Sequence, residues 1–157
     1  MRTMAFRVLP EINLAVNSSQ DPSDDEWNAY IAAVTAKIEG GADVTKMRTL
    51  VFSDGGGPNA AQRALINEGL AGRPTRVALV SSSLAVRGVT TALRWFNPQI
   101  KSFSPSDVTS AFRFLDLGPA DYPWVWKEVQ SLARELDVPQ LRSVTVGMEV
   151  APGKPRK

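Results

Sequence analysis

The chain has neither cysteine nor histidine among its 157 residues. The lack of cysteine excludes disulfides and thiolate-bound zinc and is typical of proteins in a reducing compartment, so we expect a cytoplasmic protein. The lack of histidine removes the commonest general base, and no Ser-x-x-Lys spacing offers a lysine in its place. These absences favour a protein that is not an enzyme, with no metal and no cofactor.

Long apolar runs are also missing. No stretch approaches the about 20 apolar residues that cross a membrane, and residues 1–10 carry no long apolar run of the kind found in export signals. We therefore expect neither export nor a membrane span.

The excess of positive charge is confined to the last residues of the chain. The 18 basic residues barely exceed the 16 acidic ones, and Lys154, Arg156 and Lys157 lie in the last four positions. Residues 151–157 are therefore predicted to form a disordered basic tail, which is more typical of a solvated end than of a nucleic-acid contact. We expect no nucleic-acid partner.

Apolar strands alternate with amphipathic helices along the chain. Strands are predicted at residues 12–16, 48–53, 75–81 and 100–103. Helices are predicted from Ser23 or Asp24 to Gly40, over 58–70, from 84 to the break at Asn97-Pro98, and from Ser104 or Ser106 to 115. Strands that are apolar throughout, separated by helices of about 10 to 15 residues, indicate a parallel sheet with both faces covered. The fold class is therefore α/β, in a single domain.

Two further elements are predicted after residue 118. A helix over 121–136 carries one apolar stripe, and residues 143–150 alternate between polar and apolar side chains, which predicts an added edge strand. Trp124 and Trp126 are two apart on the helix, so they cannot both face one core. One of them is predicted near the surface, as an interface for a homodimer or a protein partner, and the alternative is burial against the added strand.

The segment that joins the second predicted strand to its helix is the best candidate for a binding surface. Residues 50–63 read Leu-Val-Phe-Ser-Asp-Gly-Gly-Gly-Pro-Asn-Ala-Ala-Gln-Arg. Glycine permits positive φ and close backbone approach, and free N–H groups at a helix start can bind an anion or a partner's side chain. The candidate binding residues here are Asp54, Gly55, Gly56, Gly57, Asn59, Gln62 and Arg63. The alternative is a tight turn in which Asp54 caps backbone N–H groups, and no Lys-Ser or Lys-Thr pair follows as in a phosphate-binding P-loop.

Serines after the third predicted strand extend this site. The carboxyl ends of neighbouring parallel strands lie side by side, so Ser81, Ser82 and Ser83 are expected near Asp54, with Arg87 one turn into the next helix. Ser82, Ser83 and Arg87 therefore join the candidate site, although capping of that helix alone accounts for at least one serine.

Several short matches run through residues 6–117. They are Asp-Glu-Trp at the start of the first helix, an acid at the end of the second strand, the glycine break, Gln-Arg in the next helix, Val-Arg-Gly-Val-Thr-Thr-Ala-Leu-Arg-Trp-Phe at 86–96 and Ala-Phe-Arg-Phe-Leu at 111–115. In this order they resemble the STAS superfamily, and within it the SpoIIAA-like proteins. The resemblance divides the chain into a STAS-like α/β domain at 1–117 and an appended helix and strand at 118–150, packed on the same domain.

The resemblance implies a non-catalytic signalling or scaffolding domain that binds proteins and, in some relatives, nucleotides or lipids. Members of the family carry a serine at the start of the helix after the second strand, which a partner kinase phosphorylates. This chain keeps the acid as Asp54 and has Gly55, Gly56, Gly57 and Pro58 where the hydroxyl would stand. A phosphorylation switch at this position is therefore not expected.

Two functions are consistent with these features. One is a protein-interaction module that docks another protein through the junction at residues 54–63. The alternative is a sensor or carrier that binds a nucleotide or a lipid-like anion at the carboxyl edge of the sheet.

Overall fold

Five strands form one sheet in the order in which they occur along the chain. The computed structural model describes residues 2–94, 97–136 and 141–149. The strands are β1 (Met4–Val8), β2 (Asn13–Asn17), β3 (Arg48–Ser53), β4 (Arg76–Ser81) and β5 (Ile100–Phe103). β1 pairs antiparallel with β2, whereas β2, β3, β4 and β5 are parallel. The predicted α/β class with a mostly parallel sheet is confirmed.

Six α-helices accompany the sheet in the described ranges. They are α1 (Asp24–Glu39), α2 (Ala60–Gly69), α3 (Leu84–Leu93), α4 (Val108–Phe114), α5 (Tyr122–Glu135) and α6 (Arg142–Glu149). Short 3₁₀ turns at Val44–Lys46 and Pro105–Asp107 precede β3 and α4. Trp95 and Phe96, predicted at the end of α3, lie outside the described residues, as does the predicted tail at 151–157.

The three crossover helices lie on one face of the sheet. α1, α2 and α3 each connect parallel neighbours, and every crossover advances the sheet by one strand in the same direction. Because βαβ crossovers are right-handed, all three lie on the same side, which we name the front face. The helices after β5, α4, α5 and α6, pack on the opposite side, the back face. In the described part of the chain, no helix has the length and apolar character needed to cross a membrane.

The back face carries the larger core. Six strand residues that point to this side are at most 1% exposed: Leu14, Val16, Leu50, Phe52, Ala78 and Val80. They pack in one cluster with α4 and with Val125, Val129 and Leu132 of α5. α5, which follows residue 117, therefore covers much of this face together with α4.

The edge strand β1 is a feature that the sequence pattern did not predict. Its alternation places Met4 and Phe6 with the front core, while Arg7 points to the back face. The Arg7 guanidinium pairs there with Glu135 of α5 at 2.6 Å. Because a charged residue interrupts a run of only five residues, the apolar signal of this strand is weak.

The edge strand predicted at residues 143–150 is wrong, because Arg142–Glu149 form the helix α6. Leu141 and Val144 are three apart and both lie in the back core, which suits a helix. Gly147 fits the same side, since a Cβ there would lie 2.9 Å from side-chain atoms of both Trp126 and Val108. Val150 lies outside the described residues.

The start of α6 is stabilised from a distant part of the chain. The Asp54 carboxylate at the end of β3 accepts hydrogen bonds from the backbone N–H groups of Arg142 (2.7 Å) and Ser143 (2.8 Å). A carboxylate at this position pairs two free N–H groups and interacts favourably with the helix dipole. Asp54 therefore caps backbone N–H groups, as one reading of the sequence proposed, but they belong to the start of α6 and not to the turn before α2.

Replacing Asp54 by alanine is expected to destabilise the protein, because it leaves these N–H groups without a carboxylate partner. We expect a loss of about 1 kcal/mol in the free energy of unfolding, measured by urea denaturation. Asp107→Ala is the matched control, since Asp107 lies at the start of α4 and accepts from the exposed Ser110 hydroxyl but from no backbone N–H of that helix. An equal loss in both variants, or none in Asp54→Ala, would contradict the capping role.

Acid is expected to weaken the contact between β1 and α1. Glu26 accepts hydrogen bonds from the Thr3 hydroxyl (2.6 Å) and the Met4 N–H (2.8 Å), and it completes the capping box of α1 with Ser23. Partial burial acts to raise the pKa of Glu26, but these hydrogen bonds outweigh it and lower the pKa from 4.5 to about 2.

The folded-state pKa of Glu26 lies below its unfolded value, so its contribution to stability is present above pH 4.5 and is lost as the pH falls towards 2. We expect Glu26→Gln to have a lower urea midpoint than the parent at pH 7, with the difference shrinking between pH 4.5 and 2. A difference that stays constant over this range would contradict the assignment.

Candidate ligand-binding cleft

An open cleft of about 520 Å³ lies on the front face, between α1 and α2 on one side and α3 on the other. Its floor contains Ala15, Val51 and Leu79, which form one cross-strand row of β2, β3 and β4. Its walls carry Trp27 and Tyr30 from α1 and Ala85, Val86, Val89, Thr90 and Leu93 from α3. The lining at the carboxyl edge of the sheet comes from Asn17, Asp21, residues 55–60 and Arg63. We name this opening the front-face cleft.

The floor of the cleft is incompletely covered. Val51 and Leu79 are only half-buried, although they lie in the two central parallel strands. Their chain neighbours Leu50, Phe52 and Val80, which face the back, are 0% exposed. Both faces of a parallel sheet are normally covered by other elements. Accessible apolar side chains at this position therefore indicate an opening between the helices that cover the front face.

One wall of the cleft is held in place by a polar clamp between α1 and α2. The Trp27 indole N–H donates to the Gln62 carbonyl (2.7 Å), and the Gln62 side-chain amide donates to the Pro22 carbonyl and to Asp24, both at 3.0 Å. Trp27 also stacks on Tyr30, with ring centroids 5.4 Å apart. Gln62, predicted as a binding residue, is buried and joins the two helices.

The opposite wall is α3, which leaves apolar side chains accessible. Leu84 is 75% exposed and Val89 is 50% exposed, and Ala85 and Gly88 are exposed as well. Val89 and Ala85 line the cleft. The sequence indicates this surface, because α3 has more apolar and small residues than the single apolar stripe with which a surface helix faces the core.

The glycine N–H groups at the rim are already paired, so the prediction that they are free to bind a ligand is wrong. The N–H of Gly55 donates to the Ser53 hydroxyl (3.1 Å), that of Gly56 to the Ser18 carbonyl (2.9 Å), and that of Gly57 to the Asp21 carboxylate (3.2 Å).

Close backbone approach at Gly56 and a positive φ at Gly55 explain why glycine is needed at these two positions. A Cβ at Gly56 would lie 1.9 Å from the Gln20 carbonyl oxygen, and Gly55 has a φ of +131°. The glycine run therefore lets the loop at residues 18–21 close against the end of β3. The backbone of residues 55–57 still lines the cleft, as part of its rim.

The remaining predicted residues divide into two groups. Asn59 caps α2 by accepting from the Gln62 N–H (2.8 Å), and Arg63 donates to the Pro58 carbonyl (2.7 Å); both line the cleft. Outside the described lining lie Asp54, Gln62, Ser82, Ser83 and Arg87. Ser83 caps α3, as the alternative proposed, and the N–H of Ser82 donates to the Ser143 hydroxyl in α6.

The two tryptophans of α5 lie in different environments. Trp126 is buried in the back core against Phe52 and Phe112, with ring centroids 5.6 and 5.7 Å away, so an interface role for it is not supported. Trp124 is half-buried, and its indole N–H donates to Asp121 at 3.1 Å. An interface at Trp124 stays a prediction.

The chemistry of the cleft favours binding of an apolar molecule. Among the described lining residues the charged side chains are Asp21 and Arg63, which have opposite signs. Burial raises the pKa of Tyr30 to about 12, so its hydroxyl is neutral at physiological pH. The described residues contain no cluster of three or more side chains suited to a metal ion. A mostly apolar cavity of this size, with a few polar groups, is typical of a small-molecule site.

No protein-family model matches this chain, and no curated protein or solved structure shows significant similarity to it. The function is therefore inferred from the residues and the geometry of the cleft.

Proposed function

We propose that the protein binds a small, mostly apolar molecule in the front-face cleft and acts as its carrier or sensor. The observation that carries this proposal is the accessibility of Val51 and Leu79 in the two central strands. Apolar surface removed from water contributes about 25 cal/mol per Å², so a ligand that covers this floor is stabilised there. The proposal is for binding and not for catalysis, because the described lining is mainly apolar.

The resemblance to STAS proteins supports the same function. The resemblance was based on the alternation of strands and helices along the chain, which corresponds to β2–β5 alternating with α1–α4. Of the ligands that the resemblance implies, a lipid-like molecule fits better than a nucleotide. The glycine N–H groups that would hold a phosphate already have partners, whereas the floor and walls are apolar.

Docking of another protein is a second candidate, favoured by exposed apolar side chains beside the cleft. Leu65 of α2 is 44% exposed, and Leu84 and Val89 of α3 are more exposed still. Such surface is typical of interaction sites. The interaction would then involve α2 and α3, because Asp54 of the predicted docking junction is engaged with α6.

Filling the cleft is expected to abolish small-molecule binding. Ala85 lines the cleft, whereas Ala92 on the same helix is exposed and is not among the described lining residues. We expect Ala85→Phe to weaken binding of Nile red, an uncharged apolar fluorophore, by at least about tenfold, while Ala92→Phe binds like the parent. The measurement is a fluorescence titration, with thermal denaturation of each variant to verify folding.

Two results would contradict the proposal. The first is a parent protein that does not bind Nile red, and the second is an equal loss of binding in both phenylalanine variants. A Leu84→Ser variant distinguishes protein docking from small-molecule binding, because Leu84 is outside the described lining. If the protein docks a partner through α3, this variant no longer binds the partner but still binds Nile red.

A further inference from the structure

A buried polar group in the lining of the cleft has no partner in the part of the chain that the structure describes. Asn17, at the end of β2, is 4% exposed and contributes to the lining. Its side-chain oxygen Oδ1 is buried and has no hydrogen-bond partner among the described residues. Buried polar atoms are paired in the large majority of cases, so an unpaired amide oxygen beside a cavity points to a partner that a ligand supplies.

The neighbours of Asn17 in the sheet show that pairing is the rule at this level. Ser53, its partner in β3, donates its hydroxyl to the Gly56 carbonyl at 2.6 Å, and Ser81, the next residue in the row, donates to the Ser53 carbonyl at 2.6 Å. Both hydroxyls therefore have hydrogen-bond partners within the protein. The side-chain oxygen of Asn17, in the same row, has none among the described residues.

A second asparagine in the same strand gives a direct comparison. Asn13 is buried on the same side of β2 as Asn17, four residues earlier. Its Oδ1 accepts a hydrogen bond from the Lys37 ammonium at 2.9 Å. Of the two buried asparagines on this strand, the one that lines the cleft is the one whose side-chain oxygen is unpaired among the described residues.

We propose that Asn17 holds a hydroxyl group of the ligand, and that the ligand is a neutral, mostly apolar alcohol. This inference rests on the proposed function. The ligand hydroxyl donates to Asn17 Oδ1, while its apolar part covers Ala15, Val51 and Leu79 on the floor. The terminal torsion of asparagine is broad, so the amide can turn to meet this group.

Other polar groups fit this position less well. A carboxylate, an ether or a ketone has no proton to donate, so it can accept only from the Asn17 Nδ2 group and leaves Oδ1 unpaired. An ammonium group donates, but its desolvation in a mainly apolar lining is costly without a nearby paired charge. A hydroxyl donates at the lowest desolvation cost among these groups.

Two isomeric probes test the requirement for a donor. 1-Nonanol and 1-methoxyoctane have the same atoms, but only the alcohol donates a hydrogen bond. We expect the parent to bind 1-nonanol about tenfold more tightly than 1-methoxyoctane, measured by displacement of Nile red. In Asn17→Leu, which keeps a side chain of similar size, we expect the two affinities to become equal through weaker binding of the alcohol.

Thr91→Val is the matched control for this experiment. Thr91 lies on α3 outside the described lining, and its hydroxyl donates to the Arg87 carbonyl at 3.2 Å, so the preference for the alcohol is expected to persist. In the parent, the side-chain amide NMR signals of Asn17 are expected to shift with 1-nonanol and not with 1-methoxyoctane. This second readout decides the assignment even where Asn17→Leu does not fold.

The outcomes separate the inference from the proposed function. Equal binding of both probes by the parent, a preference for the ether, or an undiminished preference for the alcohol in Asn17→Leu overturns the role of Asn17 and leaves the cleft as a binding site. If neither probe nor Nile red binds the parent, the proposed function itself fails.

Discussion

A parallel sheet needs cover on both faces, and in this chain the sequential order of β2, β3, β4 and β5 puts every crossover helix on the front. The back face then depends on the helices that follow β5, and α4, α5 and α6 bury it completely at Leu50, Phe52 and Val80. The front face has three helices too, but α2 is bound to α1 through Gln62 and leaves a space before α3. The front-face cleft follows from this unequal cover.

The end of β3 shows how structural and binding roles are divided at the carboxyl edge. Asp54 caps α6 on the back, while Gly55 and Gly56 let the loop at residues 18–21 close on the front. These residue types are typical of ligand-binding junctions, yet here their hydrogen bonds are used within the fold. The apolar surface beside the junction is what remains available to a ligand.

The strands and helices up to residue 136, except β1, were predictable because each has a local signal. The apolar run at 48–53, the capping serine before α1 and the glycines after it depend on neighbours in sequence. α6 was not predictable in this way, because its cap comes from Asp54, 88 residues earlier, and its valines alternate as in a strand. β1 was missed because Arg7 breaks its short apolar pattern.

The candidate site was predicted less well than the fold, also for physical reasons. Of the residues predicted for binding, Gly55, Gly56, Gly57, Asn59 and Arg63 line the cleft, because strand ends and helix starts have clear signals. The floor and walls were assigned to the core, since a half-buried Val51 and a fully buried Leu50 look the same in a sequence. The distance between α2 and α3 depends on how the helices pack together. The spacing of apolar residues along one helix carries no information about this packing.

The most direct test of the account is a methyl NMR titration of the intact protein with Nile red. If the front-face cleft is the binding site, the methyl signals of Val51 and Leu79 shift saturably, while those of Leu50 and Val80, on the opposite face of the same strands, stay in place. Unchanged signals at Val51 and Leu79, or equal shifts on both faces of the sheet, would contradict the account.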